Sequence, residues 1–112
     1  MTILLEEHQN VMVLRPEGHA LDARNAEQFR DSVRPIISSH SKIVLDMSQI
    51  RFVDSAGLGA LLSLMRGLAS QNGQLRLVGL QDEVLTMFRQ IRMNMVFEIY
   101  DSVQQATETW YR

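Results

Sequence analysis

Cysteine is absent from this chain of 112 residues. Its absence excludes a disulfide framework, a thiolate zinc site and a cysteine nucleophile, and it is compatible with a reducing cytoplasm. The three histidines, His8, His19 and His40, are scattered, and no two of them are spaced one helical turn apart. We therefore expect no bound metal ion and no catalytic metal centre.

An excess of charge of either sign is also missing. The chain has 11 basic and 13 acidic residues, and the formal net charge is −2. A charge this small gives no long-range attraction for a polyanion. We therefore expect no nucleic-acid partner.

Long apolar runs are missing as well. The weakly polar stretch from Ala56 to Met65 stops at Arg66, whereas a membrane-spanning helix needs about 20 apolar residues. The N-terminal sequence "MTILLEEHQN" lacks the basic segment and the apolar core of a signal peptide. The sequence predicts one soluble domain over residues 1–112, cytoplasmic and without direct membrane insertion.

What the chain does have is a regular alternation of strand-like and helical segments. "TILLEEH" and "NVMVLRPEG" resemble the two arms of a hairpin, and "KIVLDM", "QLRLVGL" and "VFEIY" are later strands separated by helical patterns. Two strands followed by three helix–strand pairs and a last helix favour an α/β fold. We predict a mostly parallel mixed β-sheet of about five strands, with about four α-helices packed against it.

Several residues predict where the helices begin and end. Asn25 is a candidate cap for the first helix, with Asp22 competing for that role, and Pro35 should kink or shorten this helix. Ser102 and Gln105 form a possible capping box for the last helix. The second helix shows an apolar stripe formed by Leu58, Leu61, Leu62, Met65, Leu68 and Ala69.

The segment "IRFVDSAGLG", residues 50–59, places a serine where a strand turns into the second helix. It does not fit a hydrolase nucleophile elbow, because Val53 occupies the leading glycine position and no histidine follows Ser55. It fits a nucleotide cradle poorly, because Leu62 replaces the third glycine and the one lysine, Lys42, lies upstream. The segment therefore predicts neither a hydrolase site nor a nucleotide cofactor.

Two other interpretations of this segment stay open. In one, Asp54 or Ser55 simply caps the second helix, and Gly57 and Gly59 allow the helix to approach the sheet. Two glycines in a first helical turn each cost about 1 kcal/mol relative to alanine, so their presence needs a reason. In the other, Ser55 is a hydroxyl offered to a protein partner, and the bare glycines let that partner's backbone come close.

At this point the chain resembles a known family. "KIVLDMSQIRFVDSAGLGALLSL" is similar to the signature of STAS domains of the bacterial anti-sigma factor antagonists, and the order of elements matches over essentially the whole chain. The resemblance implies the STAS fold. It also implies a regulatory role without catalysis, since in that family ATP and the chemistry belong to the partner.

The resemblance implies specific partners and site residues. Ser55 corresponds to the serine that is phosphorylated by an anti-sigma factor that is also a serine protein kinase, and a serine phosphatase removes the phosphate. The unphosphorylated form binds the kinase and frees the sigma factor. Partner contacts are implied for Asp22 and for a continuous stretch that comprises Asp54, Ser55, Ala56, Gly57, Leu58 and Gly59.

This chain departs from the family pattern at two places. "GHALD" has one residue more between its glycine and Asp22 than the common form, and Ala56 stands where many members have a second serine or threonine. The second departure leaves Ser55 as the single acceptor. STAS domains also occur as constitutive accessory subunits of transporters, such as a lipid-transporting ATPase, and that role remains the alternative.

Overall fold

A computed structural model describes residues 1–111 of the chain. The strands are β1 (Ile3–His8), β2 (Val11–Pro16), β3 (Ala20–Leu21), β4 (Lys42–Asp46), β5 (Phe52–Val53), β6 (Gln74–Val78) and β7 (Glu98–Tyr100). The helices are α1 (Ala26–Ile37), α2 (Ser55–Ala69), α3 (Asp82–Gln90) and α4 (Val103–Glu108). Short 3₁₀ turns follow α3 at Met93–Met95 and α4 at Thr109–Tyr111.

The main sheet has five strands in the order β1-β2-β4-β6-β7. β1 and β2 form the predicted antiparallel hairpin, and every other neighbouring pair is parallel. The predicted mixed, mostly parallel sheet with four α-helices is therefore confirmed. β3 and β5 form a separate two-stranded parallel sheet, which the sequence did not predict because two-residue strands carry no periodic pattern.

The two faces of the main sheet carry cores of different size. Along each strand, alternate side chains point to opposite faces. The larger core is formed by residues such as Leu14, Leu45 and Leu77 with the buried faces of α1, α2 and α3. The smaller core joins Val13, Val44 and other valines to α4. Helices on both faces explain why β4 is apolar without alternation, as the sequence predicted.

The helix boundaries correct some details. α1 continues through Pro35 and ends two residues later, at Ile37. The buried face of α2 is turned slightly from the predicted stripe: Leu62 and Met65 are half-buried against the core and Ala69 is exposed. The fully buried residues of α2 are Gly57, Ala60, Leu61, Leu64 and Leu68.

No helix within residues 1–111 has both the length and the apolar character that crossing a lipid bilayer would require.

Candidate functional site

Asp54 is the residue that caps α2. Its backbone is extended, and its Oδ1 accepts a hydrogen bond of 2.9 Å from the backbone N–H of Gly57. Its other carboxylate oxygen, Oδ2, accepts a hydrogen bond of 3.1 Å from the backbone N–H of Ala23. Asp54 therefore fixes the start of α2. It also joins the loop that precedes α1 to this helix start.

Ser55 is the first residue of α2, and its side chain is exposed. Because Asp54 performs the capping, the Ser55 hydroxyl has no hydrogen-bond partner among the residues that the structure describes. The sequence did not decide whether Asp54 or Ser55 caps α2, and the structure assigns the cap to Asp54. The Ser55 hydroxyl is thus accessible, at the end of a helix where negative charge is favoured.

Gly57 lies where α2 contacts β3. A Cβ atom at this position would be 1.9 Å from the carbonyl oxygen of Leu21, which also accepts a hydrogen bond of 3.3 Å from the Asp54 N–H. Only glycine permits this approach of helix to strand. The bare backbone of buried Gly57 is therefore covered by this chain's own β3, and is not left open for a partner as its residue type suggested.

The rest of the predicted stretch divides into buried and accessible parts. Ala56 and Leu58 are half-buried and pack against the larger core. Gly59 is also half-buried, and a Cβ atom there would lie 3.2 Å from Nη2 of Arg30 on α1. Ser55 is the one fully exposed residue from Asp54 to Gly59.

Asp22 lies in the loop between β3 and α1, and its carboxylate is buried. Oδ1 accepts from the Arg24 backbone N–H at 3.0 Å, and Oδ2 accepts from Arg24 Nε and Nη2 at 3.1 and 2.8 Å. These hydrogen bonds from Arg24 hold the pKa of the Asp22 carboxyl below its usual range, with a smaller opposing effect of burial. Asp22 therefore carries its negative charge in the folded protein.

Asn25 precedes α1 but does not cap it with its side chain. Its Oδ1 accepts from the Asp22 N–H at 3.0 Å, and its Nδ2 donates to the Ala20 carbonyl at 2.8 Å. Asp22 does not cap α1 with its side chain either, because its carboxylate is bonded to Arg24. Both predicted caps instead stabilise the loop itself.

The structure brings Asp22 and Ser55 into one site although they are 33 positions apart in the sequence. β3 pairs with β5 in the register Leu21↔Val53, so the residues that follow each strand come to the same edge. The hydrogen bond from Ala23 to Asp54 joins the two segments directly. We call this surface, comprising residues 22–24 and 54–59, the serine turn surface.

Asp46 has a structural role at the end of β4. Its Oδ2 accepts from Arg15 Nε at 2.8 Å, and its Oδ1 accepts from the Ser48 N–H at 2.9 Å. Burial by itself would raise the pKa of the Asp46 carboxyl, but the hydrogen bonds from Arg15 and Ser48 outweigh it, so that the pKa lies below its usual range. This ion pair joins β2 to β4 and lies outside the serine turn surface.

Sequence reasoning missed three residues at or beside the serine turn surface. Arg24 belongs to this surface and pairs with Asp22, Arg30 lies against Gly59 from α1, and Phe52 has 56% of its surface exposed three residues before Ser55. An arginine on a polar helix face and a phenylalanine in a short strand carry no distinguishing pattern. The one available signal was the second glycine of the helix start, because Gly59 is where Arg30 lies.

The fold and the serine turn define the class to which this chain belongs: an α/β domain that presents an exposed serine at the first residue of a helix. The model of the STAS domain family matches residues 2–106. The chain therefore belongs to the STAS domain family.

Named relatives and, separately, solved structures agree with this assignment. A Thermotoga maritima protein named as a candidate anti-sigma factor antagonist is 26% identical over 101 residues, which are 88% of each chain. The anti-sigma F factor antagonist of Paenibacillus polymyxa is 24% identical, covering 95% of this chain and 92% of that one.

Structures of SpoIIAA exist for two states of that protein. The unphosphorylated form, described as an anti-sigma factor antagonist, has a TM-score of 0.72 and 24% identity, with 99% of this chain and 98% of that chain covered. The phosphorylated form, described as a Bacillus cell fate determinant, also has a TM-score of 0.72, with 22% identity and coverage of 99% and 100%. These likenesses show the shared fold.

Proposed function

We propose that this protein is an anti-sigma factor antagonist in a partner-switching circuit. Unphosphorylated, it binds an anti-sigma factor that is also a serine protein kinase, and phosphorylation of Ser55 releases it. The observation that carries the proposal is the Ser55 hydroxyl, which is exposed and bears no capping hydrogen bond because Asp54 caps α2. The names of the relatives and the phosphorylated state of SpoIIAA support it.

The chemistry of the switch belongs to the partners. The kinase transfers the γ-phosphoryl group of its bound ATP to Ser55 Oγ: the bond from phosphorus to the ADP oxygen breaks, and the hydroxyl proton leaves to a base on the kinase. A serine phosphatase reverses the step with water, which returns the hydroxyl and inorganic phosphate. This chain supplies the acceptor and the surface that the kinase recognises.

Phosphorylation changes the charge of the serine turn surface while sparing the fold. A phosphate adds about −1.5 to −2 charges at neutral pH. The amides at the start of α2 favour that charge, and the neighbouring Asp54 carboxylate opposes it. Since both Asp54 oxygens already accept backbone hydrogen bonds, the cap remains occupied when Ser55 is modified.

The surroundings of Ser55 favour a protein partner over a small ligand. Phe52 is an exposed aromatic side chain next to a shallow groove of about 180 Å³ that also involves Val84 and Met87 of α3. Exposed aromatic residues are typical anchors of protein interfaces. The serine turn surface carries charges of both signs, because Asp54 lies beside Ser55 and the exposed guanidinium of Arg24 pairs with the buried Asp22 carboxylate.

The first experiment is intact-mass analysis and peptide mapping of the protein purified from its native cells. We expect a fraction that carries one phosphate, located at Ser55, and whose size changes with growth conditions. A protein that remains unmodified in all conditions and co-purifies with a membrane ATPase would overturn the proposal. That outcome would instead indicate the constitutive accessory subunit.

A matched pair of variants tests the binding step. Ser55→Ala should retain the kinase partner that the wild type binds and should no longer be phosphorylated by it. Ser55→Asp should bind that partner at least tenfold more weakly, because a permanent negative charge occupies the interface. Equal affinity of the wild type and Ser55→Asp for the kinase would contradict the switch.

A further inference from the structure

Arg30 on α1 has a charged side chain without a counter-ion. Its Nε atom is buried and has no hydrogen-bond acceptor within residues 1–111, and no ion pair of Arg30 occurs in this part of the chain. Buried N–H groups in folded proteins almost always have an acceptor, so one that lacks it needs an explanation.

The two other arginines of this region already have partners. Arg24 donates to the Asp22 carboxylate from Nε and Nη2, at 3.1 and 2.8 Å. Arg34 donates to Asp31 one turn earlier on α1, at 3.1 Å. Arg30 is therefore the arginine of the α1 segment whose charge is available to a new anion.

Arg30 lies one helical turn from Ser55. Its Nη2 would be 3.2 Å from a Cβ atom at Gly59. Positions 55 and 59 are four residues apart on α2, so they share one side of the helix with Cβ positions about 6 Å apart. A movement of the guanidinium group toward the start of α2, over no more than one helical turn, would bring it to a phosphate on Ser55.

The glycine at position 59 leaves the surface of α2 between Arg30 and Ser55 free of a side chain. The groove of about 280 Å³ between α1 and α2, which Arg30 also lines, lies on the other side of Arg30, along Ala60, Ser63 and Gly67. A larger side chain at position 59 would meet the Arg30 guanidinium directly. The glycine that a simple helix cap leaves unexplained is accounted for by the position of Arg30.

We propose that Arg30 is the intramolecular partner of the phosphate on Ser55. This proposal rests on the proposed function for the identity of the acceptor residue. In the phosphorylated protein the Arg30 guanidinium donates to the phosphate oxygens, offsets the repulsion from Asp54, and joins α1 to the first turn of α2. The released state is then a surface with a fixed Arg30–phosphate pair, distinct from the unmodified one in shape as well as in charge.

The test uses the full chain with phosphoserine incorporated at position 55 during translation, so that no kinase is needed. The second pKa of the phosphate, ordinarily about 6, is followed by ³¹P NMR as the pH is varied. We expect Arg30→Gln to raise this pKa by about 0.5 or more, because a nearby cation favours the dianion. Arg30→Lys, which keeps the charge, should restore most of the effect.

The matched control is Arg24→Gln, which removes the other arginine next to the site. It should raise the pKa of the phosphate by less than Arg30→Gln does, because Arg24 donates to the Asp22 carboxylate and, in this proposal, makes no hydrogen bond to the phosphate. The proposal is overturned if Arg30→Gln titrates like the unsubstituted phosphoprotein, or if Arg24→Gln produces the larger rise.

A second measurement needs no substitution and so does not depend on whether a variant folds. With ¹⁵N-labelled arginine, the Nε–H resonance of Arg30 should shift between the unmodified and phosphorylated proteins, and its pH dependence should follow the ³¹P titration. An unchanged Arg30 resonance overturns the proposal. Absence of phosphate on Ser55 in native cells would overturn the proposed function alone, since here the phosphoserine is installed directly.

Discussion

The carbonyl oxygen of Leu21 lies 1.9 Å from the point that a Cβ atom at Gly57 would occupy. No adjustment of a flexible side chain can relieve such a contact, because the oxygen belongs to the backbone of β3. The start of α2, and with it the position of Ser55, is therefore set by the fit of a helix against a two-residue strand.

Gly57→Ala should destabilise the protein by about 2 kcal/mol or more, because overpacking against backbone exceeds the gain in helix propensity. Urea unfolding measures the change. Gly59→Ala is the control: its Cβ meets only the end of the Arg30 side chain, at 3.2 Å, so we expect a change of less than about 1 kcal/mol. Equal midpoints for Gly57→Ala and the wild type would show that β3 can move away.

The cap of α2 gives a second prediction. Asp54→Ala should cost about 1–2 kcal/mol, because it leaves the N–H groups of Gly57 and Ala23 without their acceptor. Ser55→Ala should change the free energy of unfolding by no more than about 0.5 kcal/mol, since it removes an exposed hydroxyl. Both are measured by urea unfolding. A larger loss for Ser55→Ala than for Asp54→Ala would return the capping role to the serine.

The sequence predicted the elements whose local residue pattern is also the one that tertiary packing requires. The hairpin at Gln9 and Asn10, the buried strand β4 and the helical segments all follow from periodicity and turn residues. At the last helix, Ser102 Oγ accepts from the Gln105 N–H as predicted, but the Gln105 side chain accepts from the Asp101 N–H and so closes a variant of the capping box.

The sequence failed where contacts join distant segments without a local pattern. β3 and β5 exist because each supplies hydrogen bonds to the other, and neither has enough residues for a period to be visible. In the same way, nothing near Gly59 in the sequence indicates that Arg30, 29 positions earlier, lies against it. The sequence therefore singled out Ser55 and Asp54 but missed the charged side chains that lie around them.

Lowering the pH should reduce the free energy of unfolding through protonation of Asp46, because the pKa of its carboxyl is lowered in the folded protein. When the folded-state pKa of a carboxyl lies below its unfolded value, the unfolded chain binds the proton first as the pH falls. The stabilisation is thus complete above the unfolded pKa of about 3.9, and it is lost as the pH falls through the folded pKa.

Asp46→Asn tests this contribution. The variant should be less stable than the wild type at pH 7, where the bond from Arg15 to the carboxylate is intact, and the difference between the two proteins should shrink as the pH falls below the unfolded pKa of about 3.9. Urea midpoints across pH 7 to 3 measure both curves. A constant difference between them over that range would mean that the charge of Asp46 contributes nothing.

Arg76 holds α4 against the back of the sheet, and its removal gives the last prediction. Its guanidinium carbon lies 4.0 Å from the centre of the Trp110 ring and 4.9 Å from that of Tyr100, and Nη1 donates to the Ala106 carbonyl at 2.7 Å. These contacts come from residues that follow Arg76 by 24 to 34 positions, which is why a strand of the pattern "QLRLV" can bury an arginine.

Arg76→Ala should cost about 2–4 kcal/mol, because both the cation–π contacts and the buried hydrogen bond are lost. Trp110 is the one tryptophan of the chain, so its fluorescence reports on α4 directly, and its emission should shift to longer wavelength as the ring gains water. Arg89→Ala, on the exposed face of α3, should leave the emission unchanged. If Arg76→Ala retains the wild-type emission and unfolding midpoint, α4 is held by the valines of the smaller core alone.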